Sequence, residues 1–448
     1  MNFKIITSLV ITILVTIFVV IFLYQNNTPN PIFIKNSANE KIDFVYGSWP
    51  ALKNPDFFNE VKADFINQKA SFIEANLSSM EIRLYKDGEI IKEANIISKG
   101  KEGSWWETPV GLYKINTKEK NHFSSFGRVY MPWSMQFQGN FFIHGPTSYP
   151  DGSPTPSSYS GGCIRVALDD VEEIFNLADV GTPVLIFEES FDTENKTINY
   201  TNKAPLPDET IYLVADLENN FVFTKNRASE KHSIASITKL MSALIAVEYI
   251  NVEKEVTIDS SMIVATSAPR LKTGEKISVL DLLSVMLQES SNEAAEAIAS
   301  PLGKNYFINL MNTKSKAIGM NNSNFADTSG ALSGNISTAE DLFSLAKYLY
   351  HNRSFVLHMS MGEENRIAYG DSKYKNLKNF NSIDGLNNMI GGKTGLSLSA
   401  QNTILAIFEI EINNQKRPVA IIVLGSSDAK ADVVKLLSFI EDNFSLKQ

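Results

Sequence analysis

The hydrophobic period of this chain switches between its two halves, and the switch bounds what the chain can fold into. Up to about residue 190 apolar residues alternate: FIEANL, MEIRLY, IIKEANIIS, GLYKI, RVYMPWSMQF, NFFIHG and PVLIFEES read as strands. Asp87-Gly88 supplies a hairpin turn between two of them. Beyond about residue 207 helical spacing dominates, in ITKLMSALIAVEYI, VLDLLSVMLQ, EAAEAIASPL, FINLMNTKSKAIG and AEDLFSLAKYLYH. A hairpin, IYLVADLEN and FVFTKN, precedes these helices, and NTILAIFEIEI, RPVAIIVLGS and ADVVKLLSFIEDNF close the chain as two strands and a helix. The stretch SFDTENKTINYTNKAPLPDET at the switch is polar and carries two prolines. At 448 residues more than one core is expected. The pattern predicts a mostly β domain over 70–190, a linker over 191–206 and an α+β domain over 207–448 with helices backing an antiparallel sheet. A helix is expected inside the β half at LDDVEEIFNLA, and another before it, where Phe57, Phe58, Val61, Phe65 and Ile66 recur at helical spacing.

The N-terminus carries a different signal. From Ile5 to Tyr24 no residue is charged, which is long enough for a helix to span a bilayer. The run is long for a signal peptide, and FLYQNNTPNP offers no small-x-small cleavage site. The fold expected is therefore multi-domain, with an N-terminal transmembrane helix over 1–25 and a tether with a short helix over 26–69. Lys4 favours an N-terminus held inside, so the rest of the chain is expected outside the cytoplasm.

Composition narrows the function. The net charge is −9 and no basic stripe stands out, which argues against nucleic acid as a partner. One cysteine excludes an intrachain disulfide, and five histidines with that cysteine form no cluster, so no metal or cofactor is expected.

That cysteine is Cys163, in SYSGGCIRV. An idle thiol outside the cytosol is a liability, and its neighbours are chemical. Gly161 and Gly162 let backbone N–H groups approach a substrate oxygen, and Arg165 offers a fork for a carboxylate. His144, ending an apolar strand in IHGP, can activate the thiol if its ring lies against the sulfur. FIHG and YSGGCIRV, with ETPVGLYKI and LYKDGEIIKEANIISKG upstream, resemble the L,D-transpeptidase (YkuD-type) catalytic domain over roughly 70–190. The resemblance implies that Cys163 attacks the L-to-D amide of a peptidoglycan tetrapeptide stem and passes the acyl group to an amine, forming a cross-link. It makes His144 the base, Gly145 the carbonyl that orients the imidazole and Arg165 a substrate contact, with Ser160 and Gly162 in the signature around the thiol. The family signature has histidine where this chain has Gly161. His122, His232, His351 and His358 have no companions in sequence, and no chemistry is assigned to them.

The second half carries a serine constellation. Ser236 and Lys239 in SITKL lie one helical turn apart, and a lysine beside a hydroxyl can take its proton. Ser290 and Asn292 follow in QESSNEAAEAIA, and Lys393, Thr394 and Gly395 in GGKTGLS. Together these resemble the serine penicillin-recognising enzymes, and more finely the D-alanyl-D-alanine carboxypeptidase (S11-type) family, over about 207–440. A second Lys-Thr-Gly at 272–274 precedes a helix and reads as a surface turn. The resemblance implies attack by Ser236 on D-Ala-D-Ala, Lys239 as base and Ser290 as proton relay. Asn292 then contacts the peptide, Lys393, Thr394 and Gly395 bind it, and the Ser236 and Leu396 N–H groups form the oxyanion hole. β-Lactams follow as covalent inhibitors.

The two resemblances fit together. Removing the fifth residue of a stem yields the tetrapeptide donor that the cysteine site needs. The expected protein is a bifunctional peptidoglycan enzyme, anchored in the bacterial cell membrane by residues 5–24. The alternative is an active carboxypeptidase with a catalytically degenerate, wall-binding L,D-transpeptidase-like domain. A β-lactamase in the second half is a further reading, though no deacylating glutamate signature accompanies its serine.

Overall fold

The computed structural model describes residues 57–443 except 102–103, 105, 126, 157–159, 189–204, 219, 364–371 and 413–414, together with a strand pair at Ile34–Lys35 and Lys41–Ile42. Among the described residues no helix is long and apolar enough to cross a membrane. The run 5–24 lies outside them. The fold class expected above is corrected accordingly: the described residues form two domains without a membrane-crossing helix, and the anchor expected over 5–24 falls on residues outside them.

Alternation builds the first half as predicted. Helix α1 (Phe57–Asn67) precedes strands β1 (Phe72–Asn76), β2 (Glu81–Lys86) and β3 (Glu89–Ser98), a meander whose β2–β3 turn holds Asp87 and Gly88 at φ 53° and 82°. Then follow β4 (Gly111–Lys114), β5 (Thr117–Ser124), β6 (Val129–Gln138), β7 (Phe141–His144), β8 (Ile164–Val166), α2 (Leu168–Leu177) and β9 (Pro183–Phe187). They form one sheet in the order β4-β9-β1-β2-β3-β8-β7-β6-β5. Period two sends Phe72, Tyr85, Leu112 and Leu185 to one face, against Val61 and Phe65 of α1. Ile73, Ile82, Ile143 and Val184 go to the other, with Val171 and Ile174 of α2. One pairing positions chemistry. β7 and β8 run parallel with Ile164 opposite Ile143 and Arg165 opposite His144, so Cys163, just before β8, meets the chain beside Phe142.

The second half is a five-stranded antiparallel sheet with helices on both faces. Strands β10 (Ile211–Asp216), β11 (Val222–Asn226), β12 (Met389–Ser397), β13 (Gln401–Ile412) and β14 (Gln415–Ser426) take the order β11-β10-β14-β13-β12. One face packs on α9 (Ala429–Asn443) through Tyr212, Val214, Ile421, Val433 and Ile440. The other packs on α3 (Thr238–Tyr249), α4 (Val279–Gln288), α5 (Asn292–Ala299), α6 (Lys304–Ala317), α7 (Ala339–Asn352) and α8 (Ser354–Met361). The Lys272–Gly274 segment is an exposed turn, with Glu275 N donating to Lys272 O at 3.1 Å, away from the sheet.

The halves dock through buried polar groups. Glu248, fully buried on α3, pairs with Lys314 at 2.9 Å and Arg353 at 3.4 Å and accepts from the Tyr348 hydroxyl at 2.9 Å. Burial alone would raise its carboxyl, but Lys314 and Arg353 hold it below the ordinary value. Arg353 reaches across: Nη1 donates to Glu107 O at 2.8 Å, and its guanidinium lies 5.2 Å from the centre of the Phe141 ring. Asn352 Oδ1 accepts from Val110 N at 3.2 Å, and Gln138 Nε2 donates to Glu248 Oε2 and to the Tyr249 hydroxyl, both at 3.1 Å. Trp106 packs on the helical core of the second half.

Candidate active sites

The β7–β8 register brings Cys163 and His144 to the wall of one cavity of about 540 Å³, shared with Ser160, Gly161 and Arg165, and with Val247 from α3 of the other half. The His144 ring is almost fully buried, and Nδ1 donates to Gly145 O at 2.6 Å. That bond fixes the tautomer and leaves Nε2 as the basic nitrogen. Nε2 has no hydrogen-bond partner. The Cys163 thiol donates to Asn140 O at 3.8 Å. Burial pushes the thiol up to about 12, although the Phe142 N–H and Arg165 oppose it, and burial pushes His144 down to about 4. The resting pair is thus neutral, and the imidazole is not hydrogen-bonded to the sulfur.

Gly162 and Arg165 complete this site. Gly162 sits at φ 102°, and a Cβ there would lie 2.4 Å from Phe141 Cε1 and 2.7 Å from Trp106 O, so only glycine fits. Its carbonyl accepts from Thr108 Oγ1 at 2.9 Å. Arg165, 5% exposed, donates to Pro156 O at 3.1 Å and Thr147 Oγ1 at 3.0 Å, and its Nε is buried without a partner. Burial lowers its pKa. A buried cation bonded only to neutral oxygens favours an anionic ligand. The Ser160 hydroxyl is likewise buried and unpartnered.

In the second half a 3-10 turn, Ala235–Ile237, presents Ser236 at the start of α3. Gly330 lets the chain pass behind it, since a Cβ there would fall 1.9 Å from Ala235 O. Lys239 Nζ donates to Ser236 Oγ at 3.0 Å, Asn292 Oδ1 at 2.8 Å and Ser329 O at 2.6 Å. The lysine is fully buried, and desolvation lowers its pKa to about 7 against the opposing pull of Asp327. Ser236, Ser290, Asn292, Thr394 and Gly395 line one cavity of about 350 Å³. Ser290 stands at φ 59°. Asn292 Nδ2 donates to Ala265 O at 2.8 Å, which fixes its amide. On β12, a Cβ at Gly395 would lie 2.9 Å from Ser236 N, so glycine brings the strand against the serine. Lys393, fully buried, is driven well below its ordinary pKa by desolvation, with Lys239 and Lys430 adding to the effect.

Two contributors escape the sequence reading. Asn381 is fully buried, and its Oδ1 accepts from Lys393 Nζ at 2.9 Å and Thr394 N at 3.1 Å. It lies in NLKNFNSIDG, which looks like an ordinary polar loop. Lys430, from α9, lines the same cavity. Among the described residues no group of three or more His, Cys, Asp or Glu is placed to hold a metal.

A serine hydroxyl beside a buried lysine that titrates near neutrality, facing a strand edge, defines a serine acyl-transfer enzyme; here it carries a second, thiol-bearing cavity. The chain belongs to the D-alanyl-D-alanine carboxypeptidase family, which it matches over residues 199–428. Residues 70–186 match the L,D-transpeptidase catalytic domain. A D-alanyl-D-alanine endopeptidase of Escherichia coli (strain K12) is 30% identical over 243 residues, covering 51% of this chain and 76% of its own length. A D-alanyl-D-alanine endopeptidase of Pseudomonas aeruginosa is 31% identical over 228 residues, covering 46% and 69%. The solved D-alanyl-D-alanine carboxypeptidase of Mycobacterium tuberculosis H37Rv shares 20% identity, covers 55% of this chain and 96% of that one, and superposes with a TM-score of 0.48.

Proposed function

We propose that this chain is a bifunctional bacterial peptidoglycan enzyme working in the cell envelope, with a carboxypeptidase site over 207–448 and an L,D-transpeptidase site over 70–190, joined by 191–206. The observation that carries the reading is Lys239 at 3.0 Å from Ser236 with a pKa near 7, in a chain that also brings Cys163 and His144 to one cavity.

At the serine site neutral Lys239 takes the Ser236 proton as the hydroxyl attacks the D-Ala-D-Ala carbonyl. The Ser236 and Leu396 N–H groups receive the oxyanion, and Ser290 passes a proton to the leaving D-alanine. Asn292 holds the peptide backbone. Lys393, with Thr394, meets the terminal carboxylate, whose charge restores the depressed ammonium. Water then releases the tetrapeptide. At the cysteine site the stem's carboxylate lies on Arg165 beside Ser160, with Gly162 N–H facing the carbonyl. The thiol turns from Asn140, His144 takes its proton, and the sulfur attacks the L-to-D amide; His144 returns the proton to departing D-alanine. β-Lactams acylate both nucleophiles.

The test is direct. The whole chain, S236A and C163A are each incubated with pentapeptide-rich wall material, and muropeptides are identified by mass. The intact chain is expected to yield tetrapeptides and L,D cross-links, C163A tetrapeptides alone, and S236A neither unless tetrapeptide is supplied. Failure of S236A to join supplied tetrapeptide would remove the transpeptidase half.

Two observations favour second readings. The neutral thiol aimed at Asn140 favours a degenerate wall-binding first half, and a carbapenem that leaves Cys163 unmodified by intact mass would establish it. The endopeptidase names of the Escherichia coli and Pseudomonas relatives favour cleavage of existing D,D cross-links by Ser236. Cross-linked dimer consumed faster than pentapeptide monomer would decide for that reading.

A further inference from the structure

The position that bears histidine in the cysteine-family signature is Gly161 here, and its side is empty: a Cβ built on it meets nothing within 4 Å. A second imidazole nevertheless reaches this cavity from a different strand. His122, on β5 opposite Met131 of β6, lines the cavity that holds Cys163 and His144. Its ring stacks on Phe142 with centroids 4.9 Å apart and planes at 28°. Phe142 and Met131 in turn form the apolar cluster that contains Cys163. His122 Nδ1 lies 3.0 Å from Glu119 Oε2, close enough for the carboxylate to favour the proton on Nδ1 and leave Nε2 as the base. The two imidazoles differ in access. His122 is 25% exposed as a side chain, whereas His144 is 1% exposed.

We propose that His122, oriented by Glu119, is the base that deprotonates the acceptor amine in the second half of the cysteine reaction. This rests on the reading of Cys163 as an acyl-transfer nucleophile. The acyl-enzyme is a thioester, and the acceptor arrives from solvent as an ammonium, which cannot attack. The ammonium gives one proton to His122 Nε2. The freed nitrogen lone pair attacks the thioester carbonyl and forms the C–N bond. As the tetrahedral intermediate collapses the C–S bond breaks, the electron pair leaves on Cys163 Sγ, and the nitrogen loses its second proton to His144. The thiolate recovers that proton from His144, and His122 sheds its own to water. The division of labour follows from burial: the enclosed ring serves the thiol and the departing D-alanine, and the accessible ring serves the amine that enters from outside.

The test uses the full chain in an S236A background, so that only Cys163 reacts. Acylation by meropenem is followed by intact mass. Transfer from an N-acetylated tetrapeptide donor is followed with two acceptors at about pH 7.5: the ε-amine of Nα-acetyl-lysine amide, which is almost wholly protonated there, and hydroxylamine, which is not. H122A and H122Q should be acylated within about twofold of the parent, transfer to the lysine amine about 100-fold more slowly and transfer to hydroxylamine within about threefold. E119Q should lose about fivefold, with the lysine amine only. Transfer to the two acceptors retained alike, or lost alike, overturns the assignment, because a structural role does not distinguish amines. A parent that meropenem never modifies at Cys163 overturns the nucleophile reading itself. If H122A is not acylated, H122Q and E119Q, which keep a polar side chain of similar volume, decide the matter by the same ratio.

Discussion

Lys239 Nζ lies 3.0 Å from Ser236 Oγ, and the same nitrogen is held by Asn292 Oδ1 at 2.8 Å and Ser329 O at 2.6 Å. Three oxygens fix a group that burial has brought to about 7. The sign follows: the base is the neutral amine, so it is populated above that pH. Acylation of Ser236 by benzylpenicillin should rise with pH and level off above an apparent pKa near 7. Neither K239A nor K239R supplies that base, so each should lose about 10³-fold in acylation rate. Stopped-flow acylation across pH checks both.

Asn381 is the inner support of β12. N381A would strip acceptors from Lys393 Nζ and Thr394 N together. The expected cost is about 2 kcal/mol of stability, read by denaturant unfolding. Binding of carboxylate-terminated peptides should weaken more than turnover of bound substrate, read as a split between KM and kcat.

Gly162 separates the two sites. G162A forces a methyl into Phe141 and the Trp106 carbonyl at a backbone angle that disfavours alanine. Carbapenem acylation of Cys163 should fall by about 100-fold, as misplacement of a reacting group predicts. Penicillin acylation of Ser236 should be unchanged, and both are read by mass on one sample.

Acid should loosen the first half through His144. Its folded pKa, about 4, lies below the ordinary imidazole value of 6.5, so between those values the unfolded chain binds a proton that the folded chain does not. Stability is therefore lost as pH falls below about 6.5, by about 2 kcal/mol at pH 5. H144N should show a smaller decline between pH 7 and pH 5 in calorimetry.

Much of the architecture was legible because period two and helical spacing are direct records of burial. The meander β1–β3 and the helices α3 to α7 lie where the apolar residues recur. The gaps have physical causes. β5 (Thr117–Ser124) has little of its surface buried on either face, so TKEKNHFS shows no alternation. β8 (Ile164–Val166) is too short to display a period, yet its parallel pairing is what brings Cys163 to His144. α8 (Ser354–Met361) is enclosed on most sides, and SFVLHMSM has no polar stripe to mark it. Glu248 reads as a surface charge in IAVEYI, because its partners Lys314 and Arg353 are remote in sequence. The motif residues of both sites were legible by type. The direction of the Cys163 thiol and the presence of His122 in its cavity are tertiary facts.

Arg353 joins the halves at full burial. Replacing it with alanine leaves Glu248 with Lys314 as its remaining cation and should cost about 3 kcal/mol. Calorimetry of R353A should resolve two unfolding transitions where the parent gives one, while R353K retains part of the coupling.

The docking of the halves also governs how the protein can be handled. Severing the backbone between residues 188 and 205 should leave a nicked particle that elutes intact, since Arg353, Asn352 and Gln138 bridge the cut independently of the covalent link. Producing either fragment by itself would unroof the thiol pocket, which borrows Val247, and lay bare a wound of aromatic rings and orphaned charge. Inactivity of an excised fragment would then report a broken surface rather than an inert enzyme.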